Sequence, residues 1–444
     1  MKKKSKDLKN KQKLRNKSSI LKSILVVINT LGRAGAEVAL MGLLKALGPE
    51  YDIDLYVITA QGEMVDELPE YVHVLNDMST YSKEPIHSVA GAKALKRQVI
   101  RALFAKGMII KNFGYLVRET VLMLARCISS DANSQNSFKM DKLLWKSLSD
   151  ASQVNNKHYD MAIAYLEGGS TYYVADHINA DKKVGFVHIS YEAAGYTKSL
   201  DHGVYDKLDR VYCVSDESAA AYKKFYPEHA AKVMVFHNII DVKRIKDLAA
   251  QNAQWVGENP EEQMDGTRGD GQNVTRLLTV GRLNEQKGYD YAIKALAILK
   301  KQGIQVRWYA LGDGDKRDEL VELAKSLDVE DDFVILGIKE NPYPYFKECD
   351  IYVQPSRFEG KCISMQEAMV LGKPIVATAC SGNVEAIENE VNGLLVEVDE
   401  VAIADGIKRL IEDSQLRQRL ADTAAQIDLG YEGELAQLLA LIEG

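Results

Sequence analysis

The sequence predicts an α/β protein in which two Rossmann-like domains face each other across a cleft. Short apolar runs alternate with helical segments in both halves of the chain, which is typical of doubly wound parallel sheets. A polar stretch with four glycines, residues 251–273, separates the two halves. The length of 444 residues suits at least two domains, and the 46% of hydrophobic residues excludes wholesale disorder.

The first half opens with a strand, a turn, a helix and a second strand, the start of a doubly wound sheet. A buried parallel strand is predicted over 23–29, a glycine-containing turn over 31–35, a helix over 36–47 and a strand over 51–59. Further strand-like runs lie at 161–166, 183–188, 210–214 and 232–236.

The second half repeats the alternation after the polar stretch. Strands are predicted at 277–280, 306–311, 333–336, 351–354 and 374–377. Helices are predicted at 289–302, 316–327 and 365–371. We therefore expect an N-terminal domain over 1–240, a linker over 241–275 and a C-terminal domain over 276–425. A last helix over 426–444 can return to the N-terminal domain.

The formal charge of −7 is unevenly distributed. Residues 1–17 contain nine basic residues and one Asp, and residues 89–128 contain eight basic residues and one Glu among many apolar side chains. The second segment is predicted to form basic amphipathic helices that lie on an anionic membrane surface, or a helical pair that packs on the domain core. The apolar run at 24–28 is too short to span a bilayer, so we expect a cytoplasmic protein, peripheral at the inner face of the cell membrane.

The five cysteines form no CxxC pair, which favours a reducing compartment over a disulfide framework or a structural zinc site. No Asp-x-Asp motif has a convincing context. We therefore expect no cofactor and no essential metal.

Two cations follow the first strand of the second half. The sequence Gly281-Arg282-Leu283 leaves this strand, and Lys287-Gly288 comes close behind. Ligands of open α/β sheets bind at the carboxyl edge of the strands, and Arg with Lys suits a diphosphate. A loop Arg and Lys taken alone are more often solvated surface charges.

The strongest motif begins at Glu359 and contains a second carboxylate, Glu367, eight positions later. A helix is predicted to begin between them, so its free N–H groups near Ser364 and Met365 can hold phosphate oxygens. Glu359 can accept hydrogen bonds from sugar hydroxyls, and Glu367 can reach ribose hydroxyls.

The second half resembles the retaining glycosyltransferases of family 4, also called group 1, which have the GT-B fold. The resemblance lies in GRLNEQKGYDYAIKAL at 281–296, LGDGDKRDEL at 311–320, DIYVQPSRFEGKCISMQEAMVLGKPIVAT at 350–378 and NGLLV at 392–396. It implies that Arg282 and Lys287 bind the donor pyrophosphate, that Glu367 binds the ribose and that Glu359 contacts the transferred sugar.

The first half resembles the family more loosely, through LGRAGAEVALMGLLKAL at 31–47 and VFHNIID at 235–241. Gly32 and Gly35 are similar to the family's N-terminal glycine loop, which closes over the diphosphate. Two departures, Lys361 with Cys362 after the first Glu-Gly and Ser381 in place of a glycine, bear on the donor sugar.

Two residues at strand ends in the first half have both a functional and a structural interpretation. His188 stands where the family often places a histidine that faces the donor sugar, and a hydrogen-bonded structural histidine is the equal alternative. Glu167 can touch the acceptor, although a loop carboxylate that caps a backbone amide is the commoner case.

These observations predict a retaining hexosyltransferase that uses a nucleotide sugar, most simply a UDP-sugar, and a lipid-linked or glycan acceptor in surface-polysaccharide synthesis, with no nucleic acid involved. Two alternatives remain: a non-catalytic GT-B partner subunit, and another GT-B enzyme such as a sugar-nucleotide epimerase. A Rossmann dehydrogenase is disfavoured, because the turn between Gly32 and Gly35 lacks the GxGxxG spacing.

Overall fold

The computed structural model describes residues 21–85, 89–105, 140–152, 155–189, 191, 201, 203–253, 274–359, 361–427, 429 and 432–443. The basic tail over 1–17, residues 106–128 of the predicted amphipathic segment and residues 254–273 of the predicted linker lie outside these ranges. In the part of the chain that is described, no helix is both long enough and apolar enough to cross a bilayer.

The first domain has a seven-stranded parallel sheet with the order β3-β2-β1-β4-β5-β6-β7. Its strands are β1 Ser23–Ile28, β2 Asp52–Val57, β3 Val72–Val74, β4 His158–Ala164, β5 Asn179–Val187, β6 Arg210–Cys213 and β7 Val233–Val235. Its helices are α1 Gly35–Leu47, α2 Val89–Ala105, α3 Met140–Ala151, α4 Gly169–His177, α5 Asp216–Phe225 and α6 Val242–Leu248. Helix α6 lies within the segment predicted as a linker.

The second domain has a six-stranded parallel sheet with the order β10-β9-β8-β11-β12-β13. Its strands are β8 Thr275–Val280, β9 Val306–Leu311, β10 Phe333–Gly337, β11 Ile351–Gln354, β12 Ile375–Thr378 and β13 Leu394–Val396. Its helices are α7 Tyr289–Lys301, α8 Arg317–Ser326, α9 Tyr343–Glu348, α10 Ile363–Val370, α11 Ser381–Ala386, α12 Glu400–Glu412 and α13 Ser414–Ala425. The last helix, α14 Glu432–Glu443, contacts α1 of the first domain.

The two sheets explain why the central strands are continuous apolar runs. Residues 24–28 of β1 have no exposed surface, since helices cover both faces of a parallel sheet. Each strand order reverses beside the first strand of its domain, where β1 lies between β2 and β4, and β8 lies between β9 and β11. Ligands bind at such reversals, where neighbouring loops diverge from the carboxyl edge of the sheet.

The predicted α/β class with two Rossmann-like sheets is confirmed. The sequence analysis missed β3 and β13, which are three-residue strands at the outer edge of their sheets. Such short runs carry too few residues for a periodicity to show. One apolar cluster contains residues of both domains, among them Leu40, Met41 and Ile363, so the described structure has its domains packed together.

Candidate active site

The carboxyl edges of the two sheets meet at the glycine loop of the first domain and the start of α10 in the second. A Cβ atom added at Gly35 would lie 3.5 Å from Cδ1 of Ile363, an ordinary van der Waals contact. The loops that follow β1, β8 and β11 therefore border one cleft. Gly32 lies in the same loop, where its carbonyl accepts a hydrogen bond from the Ala34 amide at 3.0 Å.

Lys287 is held in place by the turn that follows β8. Asn284 caps the short 3-10 helix Glu285–Lys287 by accepting the Lys287 amide at 3.2 Å. Gly288 then adopts a left-handed φ of 65°, and a Cβ there would stand 2.0 Å from the Pro355 carbonyl oxygen. A glycine is required at this position, because only glycine lets the loops after β8 and β11 come this close.

Glu359 is the partner of Lys287. The Lys287 Nζ lies 2.7 Å from Glu359 Oε1, and the same oxygen accepts from Gln354 Nε2 at 2.9 Å and from Ser356 Oγ at 2.6 Å. Burial alone would lower the pKa of Lys287, but the attraction of Glu359 leaves that pKa above its ordinary value. Glu359 is buried, Lys287 is half-buried, and the pair is fixed in orientation.

Arg282 contrasts with Lys287, since it is exposed and its guanidinium group has no hydrogen bond or ion pair with any residue that the structure describes. Its charge acts across the cleft on Glu37, in the first turn of α1. Glu37 is 6% exposed and accepts a hydrogen bond from Thr30 Oγ1 at 3.0 Å. Burial raises the pKa of Glu37 to about 7, and its hydrogen bonds and Arg282 oppose that rise. Arg282 is therefore the available cation of the site.

Glu367 lies one turn into α10 and is 7% exposed. Burial raises its pKa to about 7, opposed by the Tyr343 hydroxyl, which donates to Oε1 at 2.9 Å, and by the charges of Arg244 and Arg33. Both arginines belong to the first domain and form ion pairs with Glu67. A buried carboxyl group flanked by two cations is suited to accept hydrogen bonds from vicinal hydroxyls.

The start of α10 has no side-chain cap. The Ser364 hydroxyl is already engaged, because it accepts from Tyr352 Oη at 2.9 Å and donates to the Val280 carbonyl at 3.2 Å. The Met365 amide donates to the Cys362 thiol. Within the described ranges the Ser364 amide has no acceptor, so it is the donor of the pair that remains open to a phosphate oxygen.

His188 follows β5 at the carboxyl edge of the first sheet. Its backbone amide donates to Glu167 Oε2 at 3.0 Å, which is the structural role considered for Glu167. One ring nitrogen bonds the Tyr165 carbonyl, and the buried Nε2 has no partner among the described residues. Burial lowers the pKa of His188 to about 4, so the imidazole is neutral at physiological pH. Because the neutral ring carries its single proton on the nitrogen that donates to the Tyr165 carbonyl, the open Nε2 can accept one hydrogen bond from a ligand.

Among the residues that the structure describes, one group could hold a metal ion. Ligand atoms of Asp216, His237 and Glu385 lie within 4.8 Å of one another. The Lys361 Nζ, however, lies 3.3 Å from Glu385 Oε1 and already supplies a positive charge there. The expectation that no metal is essential stays a prediction.

Several residues of the site were missed by sequence reasoning. They share the property that only the folded chain brings them to the predicted residues. They are Arg33, Glu37, Arg244, Tyr343, Gln354 and Ser356. Arg33 and Glu37 lie within two residues of Gly32 or Gly35. Two charged residues this close to the glycine loop could have indicated from the sequence that they belong to the site.

Comparisons with known proteins bear on the fold and on the C-terminal domain. Residues 261–427 match the family model described as "Glycosyl transferases group 1". A Campylobacter jejuni N-acetylgalactosamine-N,N'-diacetylbacillosaminyl-diphospho-undecaprenol 4-alpha-N-acetylgalactosaminyltransferase is 35% identical over 33% of this chain and 40% of its own. The chain spans about two fifths of the length of the first curated relatives it matches.

Matches over nearly the whole chain are weaker in identity. The N,N'-diacetylbacillosaminyl-diphospho-undecaprenol alpha-1,3-N-acetylgalactosaminyltransferase of Campylobacter jejuni is 26% identical over 91% of this chain and 94% of its own. The crystal structure of Anabaena Alr3699/HepE in complex with UDP and glucose has a TM-score of 0.65 and 19% identity, and covers 95% of this chain and 99% of that one. The fold is therefore GT-B, and the C-terminal domain of this chain matches the family model of the group 1 glycosyl transferases.

Proposed function

We propose that the protein is a retaining glycosyltransferase that moves a hexosyl group from a UDP-sugar to a lipid-linked acceptor during synthesis of a cell-surface polysaccharide. The arrangement around α10 carries the proposal: the ion pair of half-buried Lys287 with buried Glu359, and the buried Glu367, border one helix whose amino end opens on the cleft. The similar Anabaena structure holds UDP, and the Campylobacter relatives are named for diphospho-undecaprenol acceptors.

The residues suggest how the transfer proceeds. As the bond between the sugar and the diphosphate breaks, negative charge grows on the leaving diphosphate. Arg282, Lys287 and the Ser364 amide stabilise that charge. No side chain of the described cleft is assigned as a nucleophile. In this proposal the acceptor oxygen therefore attacks from the face that the diphosphate leaves. Its proton passes to a diphosphate oxygen, and the anomeric configuration is retained.

Glu359 and His188 act on the sugar itself in this proposal. The first oxygen of Glu359 is occupied by three donors, so this carboxylate has a fixed orientation when sugar hydroxyls bind. His188 offers its open ring nitrogen, which remains uncharged because of burial. Neither role requires a metal ion or another cofactor.

The decisive experiment separates transfer from binding. The purified protein is incubated with a panel of nucleotide sugars, with and without membrane lipid extract, and UDP release and glycolipid mass are measured. Acceptor-dependent UDP release with a hexose added to a lipid supports the proposal. Binding of UDP-sugar without turnover on any extract would favour the non-catalytic partner subunit, and conversion of the nucleotide sugar without acceptor would favour an epimerase.

We also propose that the first domain docks on the anionic inner face of the cell membrane. Helix α2 exposes Lys93, Lys96 and Arg97 together with Ile100, which is 44% exposed. On a helix that only faces water, an exposed isoleucine gains no stabilisation, whereas a helix in the membrane interface buries such a side chain among the lipids. Each cation near an anionic leaflet contributes about 1 kcal/mol.

Vesicle sedimentation tests the docking. Replacing Lys96 and Arg97 with Glu should release the protein from anionic vesicles at low salt and leave UDP affinity unchanged. The adjacent exposed pair Lys223 and Lys224, at the end of α5, provides a matched reversal that should still sediment. If the two charge-reversed proteins and the wild type sediment equally, α2 is a surface helix that does not bind the membrane, and the docking proposal is refuted.

A further inference from the structure

A row of buried aromatic rings lies beside α10. The rings of Tyr343 and Phe346 are 6.3 Å apart with an interplanar angle of 30°, and those of Phe346 and Tyr352 are 5.4 Å apart at 21°. All three side chains are at most 3% exposed. The row joins α9 to β11 and lies against the helix that bears Glu367.

The two ends of this row carry hydroxyl groups that bond to polar side chains of the site. Tyr343 Oη donates to Glu367 Oε1 at 2.9 Å, and Tyr352 Oη contacts Ser364 Oγ at the same distance. Phenylalanine would fill these positions equally well, and a buried hydroxyl is costly unless it is bonded. The hydroxyls therefore serve the groups that they contact rather than the packing.

Glu367 is the side chain that most needs such a support. Its Oε2 atom has no hydrogen-bond partner in the described part of the chain, while Oε1 is taken by Tyr343. A carboxyl group with one oxygen fixed can rotate little, so the other oxygen is presented in one direction. Arg33 and Arg244 add positive charge near the same carboxyl group but are paired with Glu67.

We propose that Tyr343 is a positioning residue of the nucleotide site, whose hydroxyl fixes Oε1 of Glu367 so that Oε2 accepts a hydrogen bond from a ribose hydroxyl of the donor. This inference rests on the proposed function, because it requires a nucleotide in the cleft. It assigns to Tyr343 a role that ring packing alone does not supply.

Binding of two ligands separates this role from packing. UDP contains the ribose, and inorganic pyrophosphate contains only the part that Arg282 and Lys287 would hold. Isothermal titration calorimetry on the full chain should show that Tyr343→Phe weakens UDP binding roughly tenfold. Pyrophosphate binding should change by less than about twofold, because its contacts do not involve Glu367.

The structure offers a chemically matched control. Tyr159 is also fully buried, and it donates to the buried carboxylate of Asp54 at 2.7 Å, between β4 and β2. Tyr159→Phe thus removes the same kind of hydrogen bond outside the loops that border the cleft, and it should leave the affinity for both ligands unchanged. Thermal unfolding of each variant verifies that it is folded.

Two further readouts distinguish positioning from structure. Loss of the Tyr343 hydroxyl removes a donor that opposes the rise in the pKa of Glu367, so the Glu367-dependent change in UDP affinity should move to higher pH. In a background of Glu367→Gln, Tyr343→Phe should have almost no additional effect on UDP binding.

The failures of the two proposals are distinguishable. If the wild type binds pyrophosphate but not UDP, the proposed donor is wrong, and the inference fails with it. If the wild type binds UDP and Tyr343→Phe binds it equally well with the same pH profile, only the positioning role is refuted. Equal losses of UDP and pyrophosphate binding in Tyr343→Phe would assign Tyr343 to packing.

Discussion

Replacing Glu367 with Gln should stabilise the protein at alkaline pH and impair its binding of nucleotide. Glu367 is 7% exposed, and burial raises its pKa from the ordinary 4.5 to about 7. A buried carboxyl group of this kind destabilises the fold once it must ionise. Gln has nearly the same shape, can accept the Tyr343 hydroxyl through its own oxygen, and never ionises.

The magnitude follows from the linkage between protonation and folding. Below pH 4.5 the carboxyl group is protonated in both the folded and the unfolded chain, and it contributes no pH dependence. Between pH 4.5 and about 7 only the unfolded chain releases the proton, so the free energy of unfolding falls by about 1.4 kcal/mol per pH unit. Above pH 7 both states are ionised, and the accumulated loss stays near 3 kcal/mol.

Urea unfolding of the wild type and of Glu367→Gln at intervals from pH 4.5 to pH 9 measures this difference. We expect the two proteins to be similar at pH 4.5 and the variant to be more stable by up to about 3 kcal/mol at pH 8. Saturating UDP should then stabilise the wild type more than the variant, since a ligand stabilises the state that it binds. Glu397→Gln, at an exposed position, is the control. A difference that does not vary with pH would refute the reasoning.

Three other predictions concern the charges of the site. Arg282→Ala should weaken UDP binding at least tenfold and leave the stability unchanged, because the guanidinium group is exposed. Lys287→Met should weaken UDP binding and also destabilise the protein, because the buried Glu359 loses its cation. Equal stability of the two variants in urea would contradict this. Activity should survive EDTA, and a loss restored by manganese or magnesium would reveal a missed metal site. His188→Asn should lower the rate of sugar transfer, but the pH dependence of that rate between pH 5.5 and pH 9 should be the same as in the wild type, because the pKa of His188 lies near 4. A pH-dependent step in that range that disappears in the variant would show that the histidine becomes charged.

The elements that the sequence predicts best are those with long apolar runs. The strands β1, β8 and β9 were predicted within two residues of their ends, because each is a buried run between glycine or polar residues. The first parts of β4 and β5 were missed, since His158-Tyr159-Asp160 and Asn179-Ala180-Asp181 contain polar side chains. These two segments pair with each other, with His158 opposite Asn179 and Tyr159 opposite Ala180, and so extend the pairing of the apolar parts of β4 and β5.

The site shows the same division between local and long-range information. Arg282, Lys287, Glu359 and Glu367 could be singled out because each belongs to a motif of fixed spacing. Their hydrogen-bond partners could not, since a pairing such as Tyr343 with Glu367 joins two helices that no periodicity relates. The Ser364 amide, which has no acceptor among the described residues, and the engaged Met365 amide were also indistinguishable until the Cys362 thiol was placed beside α10.

The distribution of charge is compatible with the proposed binding of a diphosphate at a site that has three acidic residues. Glu359 is neutralised by Lys287, whose charge is fixed in the pair. Burial holds the pKa values of Glu37 and Glu367 near 7, so neither group carries a full negative charge at neutral pH. Arg282 then provides the uncompensated charge at the edge of the second sheet, beside a helix end with an open amide. Moving either of the buried carboxyl groups into water would restore its negative charge, so the proposed binding of the donor depends on the burial of these two acids.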